Sequence, residues 1–351
     1  MNEILTPHAV KALLLWYQQN KRDLPWRHTS DPYRIWISEI MLQQTRVEAV
    51  KPYYARFLEA APNIEALAAL PEEQLMKLWE GLGYYSRARN LQKAARVVVE
   101  DHGGVMPTTY EELLKLPGIG EYTAGAIASI AYGVRVPAID GNVLRVLARV
   151  SGTDADITLP ETKKEFRQKL SLVVPLEAGD FTQSLIELGA TVCAPNREPM
   201  CDLCPLSQEC VAYREGRTSE IPVRAPKKPR RIEERTVFII RDGDRTALCK
   251  RPSKGLLSGL YELPNIEGHL KEEEALVYLR SLGFEPLRIQ KIENAKHIFT
   301  HIEWHMIAYD VRITPEFDGL HGKSGMLLVP NRDLHQKYAI PSAFGAYVKY
   351  L

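Results

Sequence analysis

The sequence predicts a multidomain chain in which an all-α domain is followed by a smaller α+β domain. Three observations carry that prediction. Up to about residue 217 the apolar residues recur with helical period between helix caps. Beyond residue 231 two runs, Arg235–Lys250 and His297–Val311, are rich in the β-branched and aromatic residues that strands favour. Between them Thr218–Arg231 (TSEIPVRAPKKPRR) is basic, Pro-rich and without apolar periodicity, which reads as a linker. A chain of 351 residues can bury two cores at roughly 150 residues each. The expected domains are 1–217 and 232–351, joined by a linker over 218–231.

In the first domain, Asp31 followed by Pro32 is an N-cap and first-turn pair, opening a helix expected to run to about Val50. Thr108 and Glu111 have capping-box spacing before the apolar stretch Leu113–Leu116. Leu116-Pro117-Gly118-Ile119-Gly120 then separates two short helices. Glycines at Gly118 and Gly120 let backbone amides at the next helix start approach a phosphate closely. A helix from near Gly141 is closed by Gly152. In the second domain the strand-like runs flank one helical stretch near Glu272–Leu282.

The charge balance excludes a uniformly basic nucleic-acid binder, because 45 Lys and Arg face 44 Asp and Glu. Residues 1–217 hold 24 basic and 27 acidic side chains, residues 218–231 hold 5 and 1, and residues 232–351 hold 16 of each. Any polyanion contact outside the linker must therefore use backbone amides or local clusters. No apolar run approaches the roughly 20 residues needed to cross a bilayer. Met1–Pro7 lacks the basic-then-apolar order of a secretory signal, so a cytoplasmic location is expected.

Cys193, Cys201, Cys204 and Cys210 lie close together, with only Cys249 elsewhere. Without a secretory signal, a metal site is favoured over disulfides. Four thiolates at this spacing suit an iron–sulfur cluster or a four-cysteine zinc site, and spacing alone does not separate the two.

Hairpin, Asp140 and cysteine cluster in this order resemble the helix-hairpin-helix DNA glycosylases of the endonuclease III superfamily, and within it the adenine DNA glycosylases. The matching segments are Leu24-Pro25-Trp26-Arg27, Trp36-Ile37-Ser38-Glu39-Ile40-Met41-Leu42-Gln43-Gln44-Thr45, Gly81-Leu82-Gly83-Tyr84-Tyr85 and the hairpin–Asp140 stretch. The resemblance continues through the cysteines into the C-terminal domain and spans nearly the whole chain. It implies a 4Fe–4S cluster held by the four cysteines. The spacing here is Cys-x7-Cys-x2-Cys-x5-Cys, one residue longer in the first gap than the family's usual six. That residue is expected to bulge the loop Ala194–Met200, which leaves open any DNA contact made by Arg197.

Two carboxylates stand in different surroundings. Glu39 lies among Ile35, Ile40, Met41 and Leu42, where a carboxyl tends to keep its proton. Asp140 lies at a helix start, where the dipole and free amides favour the anion. The resemblance implies that Glu39 protonates the imidazole-ring nitrogen of a flipped adenine and that Asp140 stabilises the oxocarbenium-like sugar. Lyase-type relatives carry a lysine two positions after the second hairpin glycine, where it forms an imine with the sugar. Tyr122 stands there in this chain, so base removal without imine-based strand cleavage is expected, with Tyr122 and Asn142 assisting the charged sugar or positioning water.

The target base must leave the stack. Gln44 and Tyr84 match the family's residues that wedge into the duplex, with Thr45 beside Gln44 as a further DNA contact. Leu24, Trp26, Arg27, Leu42, Gln183 and Ile186 match its adenine pocket. Arg251–Pro264 resembles the start of a Nudix-like domain. Glu262 and the Glu272–Glu274 run do not reproduce the magnesium-holding REUxEExGU pattern, so recognition is expected there and not hydrolysis. In the family this domain reads 8-oxoguanine opposite the adenine through a Phe-Ser-His loop. Here the loop is Phe299-Thr300-His301, and the added methyl of Thr300 leaves selectivity over plain guanine open. The expected partner is double-stranded DNA with adenine opposite 8-oxoguanine or guanine, bound by a monomer. The rival readings are a glycosylase/lyase for oxidised pyrimidines, which Tyr122 disfavours, a nucleotide pyrophosphohydrolase, and a non-catalytic iron–sulfur DNA-binding protein.

Overall fold

A computed structural model describes residues 4–226, 228–314 and 326–351. The chain divides into two compact units, one of Met1–Leu70 and Arg89–Pro226, the other of Pro71–Ala88 and Lys227–Leu351. The units part within the basic segment read as linker. The inclusion of Pro71–Ala88 in the second unit had no sequence signal.

The helices in chain order are α1 (Pro7–Asn20), α2 (Pro32–Leu42), α3 (Val47–Ala60), α4 (Ile64–Ala69), α5 (Glu72–Leu78), α6 (Ser86–His102), α7 (Tyr110–Leu113), α8 (Glu121–Tyr132), α9 (Gly141–Ser151), α10 (Pro160–Ser171), α11 (Ala178–Thr191) and α12 (Val211–Arg214). Asp31 caps α2 as expected, accepting from the Tyr33 N–H at 2.9 Å. The helix stops at Leu42 and not near Val50. Gln44 takes a left-handed φ of 58°, and the Thr45 N–H turns back to the Leu42 carbonyl at 3.3 Å. The capping pair is shifted by one residue from the expected Thr108 and Glu111: Thr109 accepts from the Glu112 N–H at 3.3 Å. Gly152 ends α9 in the left-handed conformation.

The first core is helical. Val143, Val146 and Leu147 of α9 are buried with Phe181, Leu185 and Leu188 of α11 and with Val10 and Leu13 of α1. Helix α8 presents small residues where other chain segments cross it. A Cβ at Gly125 would lie 2.5 Å from the Pro137 carbonyl oxygen, so only glycine admits the segment that leads to Asp140.

The second unit is built on a mixed sheet ordered β3-β2-β1-β6-β5. Its strands are β1 (Arg231–Asp242), β2 (Arg245–Lys250), β3 (Tyr261–Glu262), β4 (Asn265–Glu267), β5 (Pro286–Ile298), β6 (Ile302–Ile313) and β7 (Met326–Pro330). β1 and β6 run parallel, while β4 pairs antiparallel with β1 and β7 with β2. Alternation along β1 sends Val237 and Ile239 into a core with Trp304, Phe344 and Tyr347. It sends Phe238 and Ile240 to the other face, against Ala275 and Leu279 of helix α13 (Glu272–Ser281). The His297–Val311 run proves to be the end of β5, a turn at Phe299–His301 and most of β6. Among the described residues no helix is long and apolar enough to cross a membrane.

Candidate active site

Glu39 projects from the middle of α2 and is 8% exposed. Its Oε2 accepts from the Tyr122 hydroxyl of α8 at 2.5 Å. Burial pushes its carboxyl up to about 7; the Tyr122 bond pulls the other way, the nearby Asp140 charge raises it, and Arg27 lowers it. The carboxyl expected to hold a proton is thus placed to do so near neutrality. Burial also raises Tyr122 well above the ordinary phenol range, so it stays a donor.

Asp140 is the N-cap of α9. Its Oδ1 accepts from the Asn142 and Val143 N–H groups, each at 2.8 Å, and its Oδ2 from Asn142 Nδ2 at 2.6 Å. The helix-start amides favour its ionised form, as expected, while burial works against it. Burial raises its carboxyl above the usual value despite the bonds from Val143 and Asn142 and the charge of Arg145. All three bonds are donated to it, which is an arrangement for an anion. Arg145, buried on α9, joins the Asn142 side chain at 3.0 Å to the carbonyls of Gly189 at 2.7 Å and Cys193 at 2.8 Å.

The residues read as a base pocket come from three elements. Trp26 is buried in the turn Pro25–Arg27 and Leu24 just before it, Leu42 is half-buried at the end of α2, and Gln183 and Ile186 are half-buried on α11. Arg27 is not simply presented to a cavity. Its Nη2 donates to Glu187 of α11 at 2.7 Å and its Nη1 to the Arg22 carbonyl at 3.0 Å, and its guanidinium lies over the Tyr17 ring. Sequence reasoning missed Glu187, Arg22 and Arg145. For Glu187 and Arg145 the available signal was a charged residue inside an apolar helical run, the same one that marked Glu39; Arg22, in the loop after α1, carried none.

At the hairpin, Gly118 has φ +76°, and a Cβ there would sit 2.5 Å from the Asn90 Cβ. Gly120 is the N-cap of α8 with no side-chain cap, which leaves first-turn amides suited to an anion. Gln44 is exposed at the left-handed turn after α2, with Thr45 half-buried beside it. A left-handed φ on a non-glycine residue is strain of the kind that collects at functional positions.

All four clustered cysteines line one cavity with Val146, Leu188 and Leu206, and none forms a disulfide. Burial raises the Cys204 thiol to about 12 and raises Cys201 and Cys210, each further raised by its cysteine neighbours. Arg149 Nη1 donates to the Cys193 sulfur at 3.2 Å. A cavity lined by four cysteines has the donor set for a four-thiolate group. Among the described residues no three metal-ligating side chains stand in a closed metal geometry. In the long first gap Asn196 is left-handed, and Arg197 donates back to the Thr191 carbonyl at 2.7 Å.

The second unit carries the remaining sequence candidates. Tyr84 is 46% exposed with φ +48°, and its hydroxyl lies 3.0 Å from Thr300 Oγ1. Thr300 and His301 are exposed at the β5–β6 turn, while Phe299 packs edge-on against Trp304. Glu262 is occupied by Arg251 at 2.5 Å, and Glu272–Glu274 form the first turn of α13.

Residues 37–175 match the profile described as HhH-GPD superfamily base excision DNA repair protein, and residues 236–350 match the NUDIX domain. The adenine DNA glycosylase of Mus musculus is 38% identical, with 86% of this chain and 70% of that protein aligned. That of Buchnera aphidicola subsp. Schizaphis graminum is 34% identical over 88% of this chain and 89% of the relative. Among solved structures, a thermostable thymine-DNA glycosylase superposes with a TM-score of 0.54 at 34% identity, covering 59% of this chain and 95% of that one. A non-covalent endonuclease III–DNA complex gives 0.50 at 25% identity, covering 60% and 98%.

Proposed function

The chain belongs to the adenine DNA glycosylases, and we propose how its own residues divide the work. The activity is hydrolysis of the N-glycosyl bond of adenine in DNA, as base excision repair requires. The observation that carries the assignment of roles is the pairing of a buried Glu39, its carboxyl at about 7, with an Asp140 that accepts three N–H donors.

With adenine extruded from the stack, protonated Glu39 gives its proton to the imidazole-ring nitrogen of the base. The C1′–N9 bond breaks, its electron pair leaves with the base, and positive charge develops on the sugar. Asp140 stabilises that charge as an anion fixed by Asn142 and the α9 amides. Water adds at C1′ and returns a proton to the site. Tyr122 holds Glu39 in place and, standing where lyase relatives carry lysine, offers no amine for an imine. Gln44 and Thr45 of the first unit and Tyr84 of the second contact the opened duplex. Phe299, Thr300 and His301 read the base opposite adenine, 8-oxoguanine or guanine.

Cys193, Cys201, Cys204 and Cys210 would hold a 4Fe–4S cluster, which when bound supplies a covalent tie across the loop after α11. The fit rests on four sulfurs around one cavity. Absorbance at about 400 nm in the purified protein, lost on Cys204→Ser, is the expected signature; zinc in place of iron would remove the cluster reading.

The test of function uses duplexes with adenine opposite 8-oxoguanine, guanine or thymine, each divided between samples with and without hot alkali. Strand breaks are expected only after alkali, with adenine opposite 8-oxoguanine or guanine. Breaks without alkali that borohydride traps on the protein would overturn the monofunctional reading.

A further inference from the structure

Glu187 lies on α11 between Ile186 and Leu188, and its side chain has no exposed surface. Its carboxylate accepts four N–H donors. Oε1 takes the Arg22 backbone amide at 3.0 Å and Arg22 Nε at 2.8 Å, while Oε2 takes Arg22 Nη2 and Arg27 Nη2, each at 2.7 Å. Both arginines belong to the segment that also carries Leu24 and Trp26. Gln183 precedes Glu187 by four residues, so the two share a face of α11. Two of the three pieces that supply the pocket residues, the Pro25–Arg27 segment and α11, are 160 residues apart, and Glu187 ties them ionically.

We propose that Glu187 is a positioning residue for adenine excision, fixing Arg27 and the Pro25–Arg27 turn against α11 so that the two halves of the base pocket keep one geometry. The proposal rests on the adenine-excision reading above and deepens it. Two further observations separate this role from an ordinary core ion pair. The first is over-determination: Arg27 is held by Glu187, by the Arg22 carbonyl and by the Tyr17 ring, although a hydrophobic turn would pack with less. The second is electrical. Arg27 is one of three groups facing Glu39, with Tyr122 and Asp140, and it favours the ionised acid. Glu187, faced by Arg22, Arg27 and Tyr17, offsets that guanidinium charge. Without the offset, Glu39 loses its proton at lower pH.

The experiment compares Glu187→Gln and Glu187→Asp with the parent protein in single-turnover adenine release across pH. Glu187→Gln removes the charge and is expected to slow release at pH 8 by about tenfold and to lower the alkaline midpoint by about half a pH unit. Glu187→Asp keeps the charge but withdraws it from the guanidinium groups. It is expected to restore the midpoint while leaving the rate several-fold low. A Glu187→Gln rate equal to the parent's, a uniform slowing with an unmoved midpoint, or a midpoint that rises would each overturn the proposal. If Glu187→Gln does not fold, Glu187→Asp decides alone, and full parental rate in it refutes the role. The Glu39 carboxyl is also titrated directly by 13C NMR, assigned by its disappearance in Glu39→Gln. If the parent releases no adenine from any duplex, the excision reading falls, and the carbon titration in Glu187→Gln still decides whether Glu187 governs the site.

Discussion

Replacing Tyr122 by phenylalanine separates two effects that act on Glu39. The 2.5 Å bond from the Tyr122 hydroxyl to Glu39 Oε2 favours the ionised acid, and it opposes the burial that lifts the carboxyl to about 7. A hydrogen bond to a charged group contributes about 1.5–3 kcal/mol and one to a neutral group about 0.5–1.5, so losing it disfavours the carboxylate by about 1–1.5 kcal/mol. That corresponds to a rise of about one pH unit. The sign follows from which form loses the bond: the charged form loses more, so the proton is held to higher pH. For a midpoint near 7, about a tenth of the enzyme is protonated at pH 8, and for one near 8 about half is. The assay is single-turnover release of adenine opposite 8-oxoguanine, from pH 5.5 to 9, fitted for plateau and alkaline midpoint. The plateau is free to fall, since the same hydroxyl holds Glu39 in place. The midpoint should rise, and the pH 8 rate as a fraction of plateau should grow about fivefold. A midpoint that stays or falls in a folded Tyr122→Phe protein would refute Glu39 as the acid that sets the alkaline limb.

Asp140→Asn keeps an N-cap oxygen for the Asn142 and Val143 amides but removes the charge. Melting should change by no more than about 1 kcal/mol in stability, while single-turnover release falls by about a thousandfold. Gly118→Ala forces a side chain into a left-handed turn against Asn90, and thermal melting should show a loss of about 1–3 kcal/mol, with weaker binding to undamaged duplex. The salt dependence of duplex binding, measured by anisotropy, should be shallower than that of a protein that contacts about 6–10 phosphates through lysine and arginine. That expectation follows from 24 basic against 27 acidic residues in positions 1–217.

Much of this fold is legible locally, and its departures have local or long-range causes that can be named. Gly152 and Asp31 marked helix ends because a left-handed stop and an Asp-Pro start have few other uses. The end of α2 left no such mark: Gln44 turns left-handed without being glycine or asparagine, a conformation that surrounding structure imposes. The one-residue shift of the α7 cap arose because Thr108-Thr109 and Glu111-Glu112 are doubled, so both registers satisfy the pattern. The β5–β6 turn was hidden because β-branched and aromatic residues continue on both sides of Phe299–His301. Glu39 and Asp140 were legible from their neighbours in sequence. Glu187 shows the same charge in an apolar run, but its role was not legible, because it depends on Arg22, 165 residues away.

The contrast between Glu39 and Glu187 explains why one buried carboxyl is placed for acid chemistry and the other is not. Both sit in helices among apolar residues, and burial raises both. Glu187 receives four N–H donors from two arginines, and those bonds pull its carboxyl down to about 2. Among the described residues Glu39 receives one, the hydroxyl of Tyr122, and stays near 7. The difference lies in the donors and not in the depth of burial. The neighbouring charges are spoken for in the same way: Arg145 by the carbonyls of Gly189 and Cys193, Arg149 by the Ile221 carbonyl and the Cys193 sulfur, Asp140 by three N–H groups. A fold that pairs its other buried charges locally leaves Glu39 under-solvated, and an under-solvated carboxyl beside the proposed base pocket holds its proton until a better acceptor arrives. By the same reasoning, any substitution that brings a second N–H donor to Glu39 should lower its midpoint and weaken excision at neutral pH, even if it touches neither base nor sugar.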